Sequence, residues 1–376
     1  MTAEVANPPR TTRTPRRVPA RRALLALPAA AALLAGLDGA LSLLGVWSPG
    51  PGTRTADVHG TLMTLGFVGA FVALERAVAL RRRAGYLAPA CLAAGALLLL
   101  APHLRTAGAA LFVAGSAVLV AVYVQLWRRR YDAAVLVQGL GAVLALGATV
   151  CSLGGVPLAS LVPWLAGFLV LTIAGERLEL ARLRMPAMAE RTLLLLAASV
   201  ACSALTALLW PSFTVGFGIA LGGVTSWLFR YDIARHTVRA EDPARFMALS
   251  MLAAQAWLGV AAAVWLVADT AGGSSPAYDA SVHAVFLGFT MSMVMAHAPV
   301  ILPAVSGMPL SFHRATYVPL LLLHLGLVVR LWLGDALGVR AAWQTGGVLT
   351  VLALLGFLVV VGWSLIRRRP EPGGVA

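Results

Sequence analysis

Long apolar runs alternate with short polar stretches along almost the whole chain. A helix needs about 20 predominantly apolar residues to cross the hydrocarbon core of a bilayer. Several of the intervening polar stretches are very short, which favours antiparallel neighbouring helices. The pattern predicts twelve membrane-spanning helices, at roughly 23–47, 58–80, 84–102, 106–127, 131–152, 156–178, 192–210, 212–229, 247–268, 281–303, 315–334 and 342–366.

The predicted domain organisation is one twelve-helix transmembrane domain, 23–366, between two polar tails. Residues 1–22 are rich in Pro, Thr and Arg, which favours a disordered basic tail. The same stretch has the basic character of a signal-peptide front, but no small-residue cleavage site follows it. We therefore expect an uncleaved cytoplasmic tail at 1–22 and a second cytoplasmic tail at 367–376.

Composition agrees with an all-α integral membrane protein. The chain is 60% hydrophobic and 12% charged, whereas soluble domains are roughly half apolar and a quarter charged. Its net charge of +14 comes from 29 basic residues, all of them arginine. In a soluble protein this excess would suggest nucleic acid as a partner. Here the arginines stand in short runs between apolar segments, so we expect the bilayer, and no nucleic acid, as the partner.

Arginine placement predicts the orientation. If the count is twelve, one side of the membrane carries the N-terminal tail and most of the arginine-rich connections, whereas the other keeps only Arg54, Arg105 and Arg340, with Arg330 just inside a span. Because cytoplasmic loops carry the excess of basic residues, both termini are predicted to be cytoplasmic, in the inner (plasma) membrane. The arginine-rich connections are Arg81–Arg83, Arg128–Arg130, Arg182 to Arg191, Arg230 to Arg245, Arg314 and Arg367–Arg369.

A Gly-Phe pair recurs in predicted spans 2, 6 and 10. Nine residues after each glycine comes a polar residue, and two of the stretches continue alike, as "ALERAVALRRR" and "AGERLELARLR". Helices related every fourth span predict three four-helix units around a pseudo-threefold axis. The pairs are Gly66-Phe67, Gly167-Phe168 and Gly288-Phe289, and the polar residues are Glu75, Glu176 and His297.

Two histidines stand at the starts of spans 2 and 10, in "DVHGTLMTLGF" (57–67) and "SVHAVFLGF" (281–289). In the predicted topology His59 and His283 lie at the same outer level. Ionisable groups inside a span usually face a cavity, a partner or a ligand, and neutral imidazole is a good axial ligand for haem iron. The alternative is that both are interfacial residues bonded to water or carbonyl groups.

Small residues follow His59 on one face of its helix. Met63, Gly66 and Ala70 lie at i+4, i+7 and i+11, and the two small residues among them leave room for a flat macrocycle. Equally, the glycine would let another helix pack closely. Sequence spacing leaves both interpretations open.

With twelve spans and histidines on helices 2 and 10, the chain resembles the haem–copper oxidase catalytic subunits. A closer resemblance is to the NnrS family of haem- and copper-binding membrane proteins associated with nitric oxide stress. Its first motif, H-x-x-x-M-x-x-G-F, is matched by His59, Met63, Gly66 and Phe67. Its later motif is matched by His283, Ala284, Gly288, Gly307, Pro309 and Leu310.

The resemblance implies one b-type haem held by His59 and His283, with electrons from quinol or a donor protein. Arginines of this region bind the haem propionates in the oxidases, which makes Arg330 and Arg340 candidates; alternatively Arg330 snorkels to the interface. Departures from the pattern are as informative. The NnrS motif carries a second histidine and a glutamate where this chain has Thr61 and Leu62, and spans 6 and 7 contain no histidine. Copper is possible but is supported by no histidine cluster.

Polar residues also occupy the opposite halves of the spans. Glu75, Glu176, His297 and, midway along span 11, His324 could bind a second metal or relay protons. Alternatively each glutamate pairs with a nearby arginine such as Arg76 or Arg177, since an arginine directly follows both glutamates.

Three functional hypotheses follow. The first is a haem-binding membrane protein in redox chemistry or nitric oxide defence. The second is a twelve-span secondary transporter that uses the intramembrane histidines and glutamates. The third is an assembly or sensor protein that holds haem without turnover. Whether the chain is an enzyme stays open, and three units of four spans, instead of two halves of six, favour the oxidase-like fold.

Overall fold

The computed structural model of the chain describes residues 21–182, 185–268, 270, 275–306 and 311–366, and these are helical, with no β-strand among them. Apart from its last two residues, the predicted N-terminal tail lies outside the described residues. So do the predicted C-terminal tail, 367–376, and the motif residues Gly307, Pro309 and Leu310.

Twelve long helices account for most of the described chain. Eleven of them are long and apolar enough to cross a membrane, as expected of a multi-pass membrane protein, and α3 is a shorter apolar helix. Each overlaps one predicted span. Two short helices, Gly52–Ala56 and Ala234–Thr237, lie in connections. In chain order the long helices are α1 (Arg21–Leu43), α2 (His59–Leu80), α3 (Arg83–Leu99), α4 (Pro102–Arg130), α5 (Ala133–Leu153), α6 (Leu158–Ala181), α7 (Ala187–Leu209), α8 (Pro211–Tyr231), α9 (Ala244–Val267), α10 (Pro276–Pro303), α11 (Arg314–Ala336) and α12 (Arg340–Ser364).

Helices α2, α6 and α10 lie at the centre of the bundle. In their most apolar windows 72%, 78% and 61% of residues are buried, against 33–50% in the other candidate spans. Consecutive helices pack against each other around them, and α12 returns to α1, so the bundle closes. The three helices that carry the Gly-Phe pairs are therefore the three that face one another inside the bundle.

Each glycine of the Gly-Phe pairs lies where a helix of the same predicted unit approaches closely. A Cβ atom on Gly66 would stand 2.7 Å from the Cβ of Ala96 on α3 and 3.2 Å from that of Ala32 on α1. A Cβ on Gly167 would stand 2.7 Å from Leu144 of α5, and one on Gly288 would stand 2.4 Å from Trp257 of α9. Without hydrophobic driving force between lipid-embedded helices, such small residues permit the close packing that holds them together.

Three stretches of π-helix interrupt the α-helical bonding, in α2 (Leu62–Gly69), α10 (Ala284–Met291) and α11 (Val329–Ala336). A π-helical turn inserts an extra residue, which rotates the side chains that follow it, and such turns occur frequently at functional sites. One begins three residues after His59, one directly after His283, and the third contains Arg330. Three of the four candidate residues that the sequence predicts at the outer level thus lie within or beside a local change of helical register.

The close approach at Gly66 generates a testable prediction. Gly66→Ala should lower the stability of the purified protein by about 1–3 kcal/mol, because the new methyl group would overlap Cβ atoms of α1 and α3 that cannot rotate away. The readout is the apparent melting temperature in detergent.

Gly362→Ala, on α12, is the matched control, since no described residue lies within 4 Å of the Cβ position at Gly362. Its melting temperature should stay level or rise slightly, because alanine is the better helix former. Equal melting temperatures for the Gly66→Ala and Gly362→Ala variants would contradict the packing role of Gly66.

Candidate functional site

A cavity of about 550 Å³ opens between α2, α10 and their neighbours α1, α6, α11 and α12; we call it the histidine cavity. Its volume falls within the range of roughly 300–1,000 Å³ typical of small-molecule and cofactor sites. Most of the wall is aliphatic, and the polar groups converge at one end. Those polar residues include His59, His283, Asp279, Arg330, Asp335 and Trp343.

His59 reaches this cavity with one ring nitrogen already engaged. Its Nδ1 lies 2.7 Å from the carbonyl oxygen of Gly36 on α1, so Nδ1 carries the proton and donates it. The approach depends on Gly36, because a Cβ there would stand 2.7 Å from the sulfur of Met63. Nε2 makes no hydrogen bond with the described residues, and its lone pair remains available.

His283 is held in the same way from within its own helix. Its Nδ1 lies 2.8 Å from the backbone oxygen of Asp279, one turn earlier, and 3.2 Å from the Asp279 carboxylate. Again Nε2 has no hydrogen-bond partner in the part of the chain that the structure describes. Metal-ligating histidines commonly donate their other ring N–H to a carbonyl or carboxylate, which sets the tautomer and the ring orientation. Both histidines therefore have the tautomer that a metal ligand requires.

Asp279 is the electrostatic centre of this end of the cavity. Its carboxylate accepts two hydrogen bonds from Arg330, from Nε at 2.9 Å and Nη2 at 2.8 Å. The indole Nε1 of Trp343 donates to it at 3.3 Å, and the Arg330 guanidinium lies 4.8 Å from the centre of the Trp343 ring. Bidentate pairing and stacking hold a buried guanidinium in one geometry, so Asp279 links α10 to α11 and α12.

Two glycines of α12 make room for the arginine. A Cβ on Gly346 would stand 2.5 Å from the backbone nitrogen of Arg330, and one on Gly347 would stand 2.8 Å from its Nη1. Arg330 thus packs directly against the two glycines of α12, and it is only 7% exposed.

Asp38 of α1 anchors the connection that leads to His59. This buried carboxylate accepts hydrogen bonds from Ser48 Oγ at 2.5 Å, the Gly50 backbone nitrogen at 2.7 Å and Thr55 Oγ1 at 2.7 Å. Three bonds tie the loop between α1 and α2 to the helix whose Gly36 carbonyl holds the His59 ring. Asp38 therefore positions the start of α2.

Of the other residues predicted to bind the cofactor, some line the histidine cavity and others do not. Met63 lines the histidine cavity. Gly66 faces α1 and α3. Its small size therefore permits close helix packing, which is one of the two interpretations that the sequence left open. Arg340 is exposed and lies outside the cavity wall, whereas Arg330 lines the cavity but is paired with Asp279.

A second cavity, of about 180 Å³, lies between the same three central helices; we call it the glutamate cavity. Its wall is largely apolar, and Glu75, Glu176 and His297 lie at its edge. Glu75 of α2, Glu176 of α6 and His297 of α10, which the sequence predicts at similar depth, thus line one cavity. The two cavities share lining residues, among them Thr290 of α10, whose buried hydroxyl has no hydrogen-bond partner in the described chain.

Arg76 interacts with several carboxylates beside the glutamate cavity. It forms an ion pair with Glu75, and its guanidinium nitrogens lie 3.9 Å from Glu176 and 3.6 Å from Glu179. Gln138 of α5 accepts a further hydrogen bond at 3.1 Å. Pairing of the glutamates with a neighbouring arginine, left open by the sequence, is therefore what the structure has, with one arginine serving both.

Arg177 contacts His297 instead. Its Nη2 lies 2.6 Å from His297 Nε2, while His297 Nδ1 lies 2.6 Å from the Met293 carbonyl oxygen. Since a carbonyl only accepts, Nδ1 carries the proton and Nε2 accepts from the guanidinium. The lone pair that a metal at His297 would need is thereby occupied.

His324 lies apart from this group. It does not line the glutamate cavity, and its Nδ1 accepts a hydrogen bond from Trp257 Nε1 at 3.0 Å. Among the described residues no group of three or more His, Cys, Asp or Glu side chains has metal-binding proximity. The predicted second site therefore corresponds to Glu75, Glu176 and His297 with two arginines, without His324.

Sequence reasoning missed three acidic residues, Asp38, Asp279 and Asp335. Asp279 carried a usable signal, because an aspartate four residues before a histidine lies on the same helical face. Asp335 lines the histidine cavity, and its Oδ2 is buried without a hydrogen-bond partner in the described ranges. Asp335 lies in the π-helical stretch of α11, which the periodicity of the sequence does not predict.

The comparisons with known proteins give a family for the chain. A family model described as a domain of unknown function (DUF8744) matches residues 22–366, and the protein belongs to this family. Among curated proteins none matches the chain.

The Asp279–Arg330 pair can be tested by a double-mutant cycle. Asp279→Asn should cost about 3 kcal/mol, because it leaves a buried guanidinium without its anion, and Asp279→Asn with Arg330→Gln should cost less than the sum of the two single changes. Equilibrium unfolding in mixed micelles measures all four proteins.

The Asp57–Arg105 pair serves as the control, since its atoms are 3.0 Å apart but its side chains are 63% and 36% exposed. The same cycle there should give a coupling energy below about 1 kcal/mol. Additive single changes at Asp279 and Arg330 would contradict their role as a buried pair.

Proposed function

We propose that this member of the family binds one b-type haem in the histidine cavity, with His59 and His283 as its two axial ligands. The observation that carries the proposal is the matched state of these residues. Both line one cavity of cofactor size, both have Nδ1 bonded to a backbone carbonyl, and neither Nε2 has a hydrogen-bond partner among the described residues. Neutral imidazole in this state is the form that ligates iron.

The remaining walls suit the same ligand. The aliphatic side chains of the cavity match the apolar face of a macrocycle and keep water from it, and Met63 lies one turn below His59. Arg330 and Trp343 are the hydrogen-bond donors of the polar end. Arg330 uses Nε and Nη2 to bind Asp279, so we assign its Nη1, which has no hydrogen-bond partner in the described ranges, to a propionate. Arg340 is less suited, since it lies outside the wall.

A bound haem would supply one-electron redox chemistry and, if a ligand dissociates, gas binding. The residues of the chain would orient it: Gly36 and Asp279 hold the two rings, and Arg330 holds Asp279. We place the protein in a redox or nitric oxide stress response, with quinol or a donor protein as the electron source. A copper centre is left out of the proposal, because α6 and α7 contain no histidine to build it.

For the architecture we propose twelve spans in three four-helix units, with both termini in the cytoplasm and the protein in the inner membrane. Support comes from the central position of α2, α6 and α10 and from the equivalent packing of their motif glycines. The helix α3 would be the shortest span. Basic residues on the connections argue for the orientation.

A second candidate function is proton-coupled transport. The observation that favours it is the glutamate cavity, where Glu75, Glu176 and His297 meet between the three central helices. Carboxylates and histidines at such positions commonly carry protons or substrates. The haem proposal is preferred because it also accounts for the two free Nε2 atoms.

Absorption spectra test the haem proposal. The protein, expressed with added haem precursor and purified in detergent, should show a Soret band and, after dithionite, sharp α and β bands. These bands should be lost or strongly reduced in His59→Ala and in His283→Ala, since each removes one axial ligand. His324→Ala is the matched control, an intramembrane histidine outside the cavity, and should keep the wild-type spectrum.

A colourless wild-type protein would reject the haem proposal and leave transport as the better candidate. If haem is present, addition of nitric oxide or carbon monoxide to the reduced protein separates a gas-reactive centre, which shifts the Soret band, from one that only stores or senses haem.

Thiol labelling tests topology. In a background with Cys91, Cys151 and Cys202 replaced, a single cysteine at His103 should react with a membrane-impermeant maleimide from outside intact cells. A cysteine at Arg82 should react only after permeabilisation, because α3 lies between the two positions. Identical behaviour of both positions would mean that α3 does not cross.

A further inference from the structure

A basic pocket of about 340 Å³ lies away from both cavities, where α6 and α8 end; we call it the arginine pocket. Arg230, Arg235 and His236 form its polar wall, with Tyr231 between them. Ala181 and Tyr231 are the last residues of two candidate spans. Helix ends of this kind lie at the headgroup level of a bilayer, so the pocket lies beside lipid.

The two arginines of the pocket lack an anion. Neither lies within ion-pair distance of a carboxylate in the described chain, and none of the eight residues that line the pocket is acidic. Arg230 lies over the ring of Tyr231 at 5.3 Å, and Arg235 Nε donates to His236 Nε2 at 3.1 Å. Both guanidinium groups keep donors for an external acceptor.

Asp232, the acidic residue nearest to the two arginines in sequence, does not face them. Asp232 is 3% exposed, and its oxygens accept from the backbone nitrogen of Ala234 at 2.9 Å and from Gln255 at 3.1 Å. Although it stands between Arg230 and Arg235 in sequence, it points into the protein. The pocket therefore carries the positive charge of its two arginines without a carboxylate from its lining to neutralise it.

The frame of the pocket is held by contacts of its own. Trp227 Nε1 donates to the carbonyl of Ala189 at 2.8 Å, which ties the end of α8 to the start of α7, and the Trp227 ring packs against Tyr231 at 5.7 Å. Asp232 ties the following turn to α9. The arginines thus project from a braced junction of α7, α8 and α9.

Three large apolar residues that are close in sequence to the pocket residues are exposed. Leu180, Met188 and Phe229 are 69%, 62% and 44% exposed, and each neighbours a pocket residue or its helix end in sequence. A soluble anion would gain nothing from these exposed apolar side chains, whereas the acyl chains of a lipid would pack against them. We propose that the arginine pocket binds the phosphodiester headgroup of an anionic phospholipid, with its chains along these residues. A zwitterionic lipid fits less well, because no acidic residue lines the pocket to meet its amine.

Basic pockets between helices at the membrane surface bind anionic headgroups, and each arginine near the surface contributes about 1 kcal/mol, equal to a factor of about five in affinity. Arg230→Gln with Arg235→Gln should therefore weaken binding about 25-fold. Binding should also weaken as ionic strength rises.

Native mass spectrometry of the full chain, released from detergent with added lipid, measures this directly. The probes are phosphatidylglycerol and phosphatidylcholine with identical acyl chains. We expect retained phosphatidylglycerol on the wild type and its loss from the double variant. Arg128→Gln with Arg130→Gln is the matched control, with the same change of net charge at exposed arginines that end α4, and should keep the lipid.

Three results would overturn the proposal: equal retention of the two lipids, equal loss from both double variants, or displacement of the lipid by millimolar inorganic phosphate, which would make the pocket a site for free phosphate. Arg230→Lys with Arg235→Lys guards against misfolding, because it keeps the charge and should retain most of the binding. If this lysine variant melts like the wild type yet loses all preference for phosphatidylglycerol, charge attraction to the headgroup is rejected as the basis.

Discussion

A polar side chain inside an apolar helix bundle must find its partner inside that bundle, because neither lipid nor an aliphatic neighbour can form a hydrogen bond with it. This constraint organises the protein. Asp38 collects three donors from the loop that follows its helix, Asp279 takes both ends of a guanidinium, and Arg76 serves several carboxylates. Each group ties together segments that are distant in sequence.

Where the constraint is not met, ligands are expected. The Nε2 atoms of His59 and His283 make no hydrogen bond with the described residues, the Oδ2 atom of Asp335 is buried without a partner among them, and all three residues line the histidine cavity. By contrast, both ring nitrogens of His297 are engaged. The same type of residue is thus a candidate ligand at one level of the bundle and a structural acceptor at the other.

The two cavities are neighbours along the central helices and share part of their walls. Thr290 lies on that shared wall, between the cavity with the two histidines and the cavity with the glutamates, and its hydroxyl has no partner among the described residues. The motif glycines bring α2, α6 and α10 close to their neighbouring helices, and residues of all three helices line both cavities.

The sequence by itself determined the features that follow from local composition. Apolar run length predicted the helices, since each predicted span overlaps an observed helix, and the Gly-Phe pairs lie on the three helices that are most buried. The sequence also predicted similar depth for Glu75, Glu176 and His297, and all three line the glutamate cavity. The twelfth span and the orientation stay predictions.

Tertiary structure alone decided which partner each polar group takes. Arg330 pairs with Asp279, Gly66 packs against two helices, and His324 bonds to Trp257, in each case with a residue on another helix. Helical periodicity gives the face on which a side chain lies but not the neighbour that meets it, and π-helical turns rotate that face further. Pairing between residues on different helices depends on how the helices are arranged in three dimensions. Short stretches of sequence do not specify that arrangement.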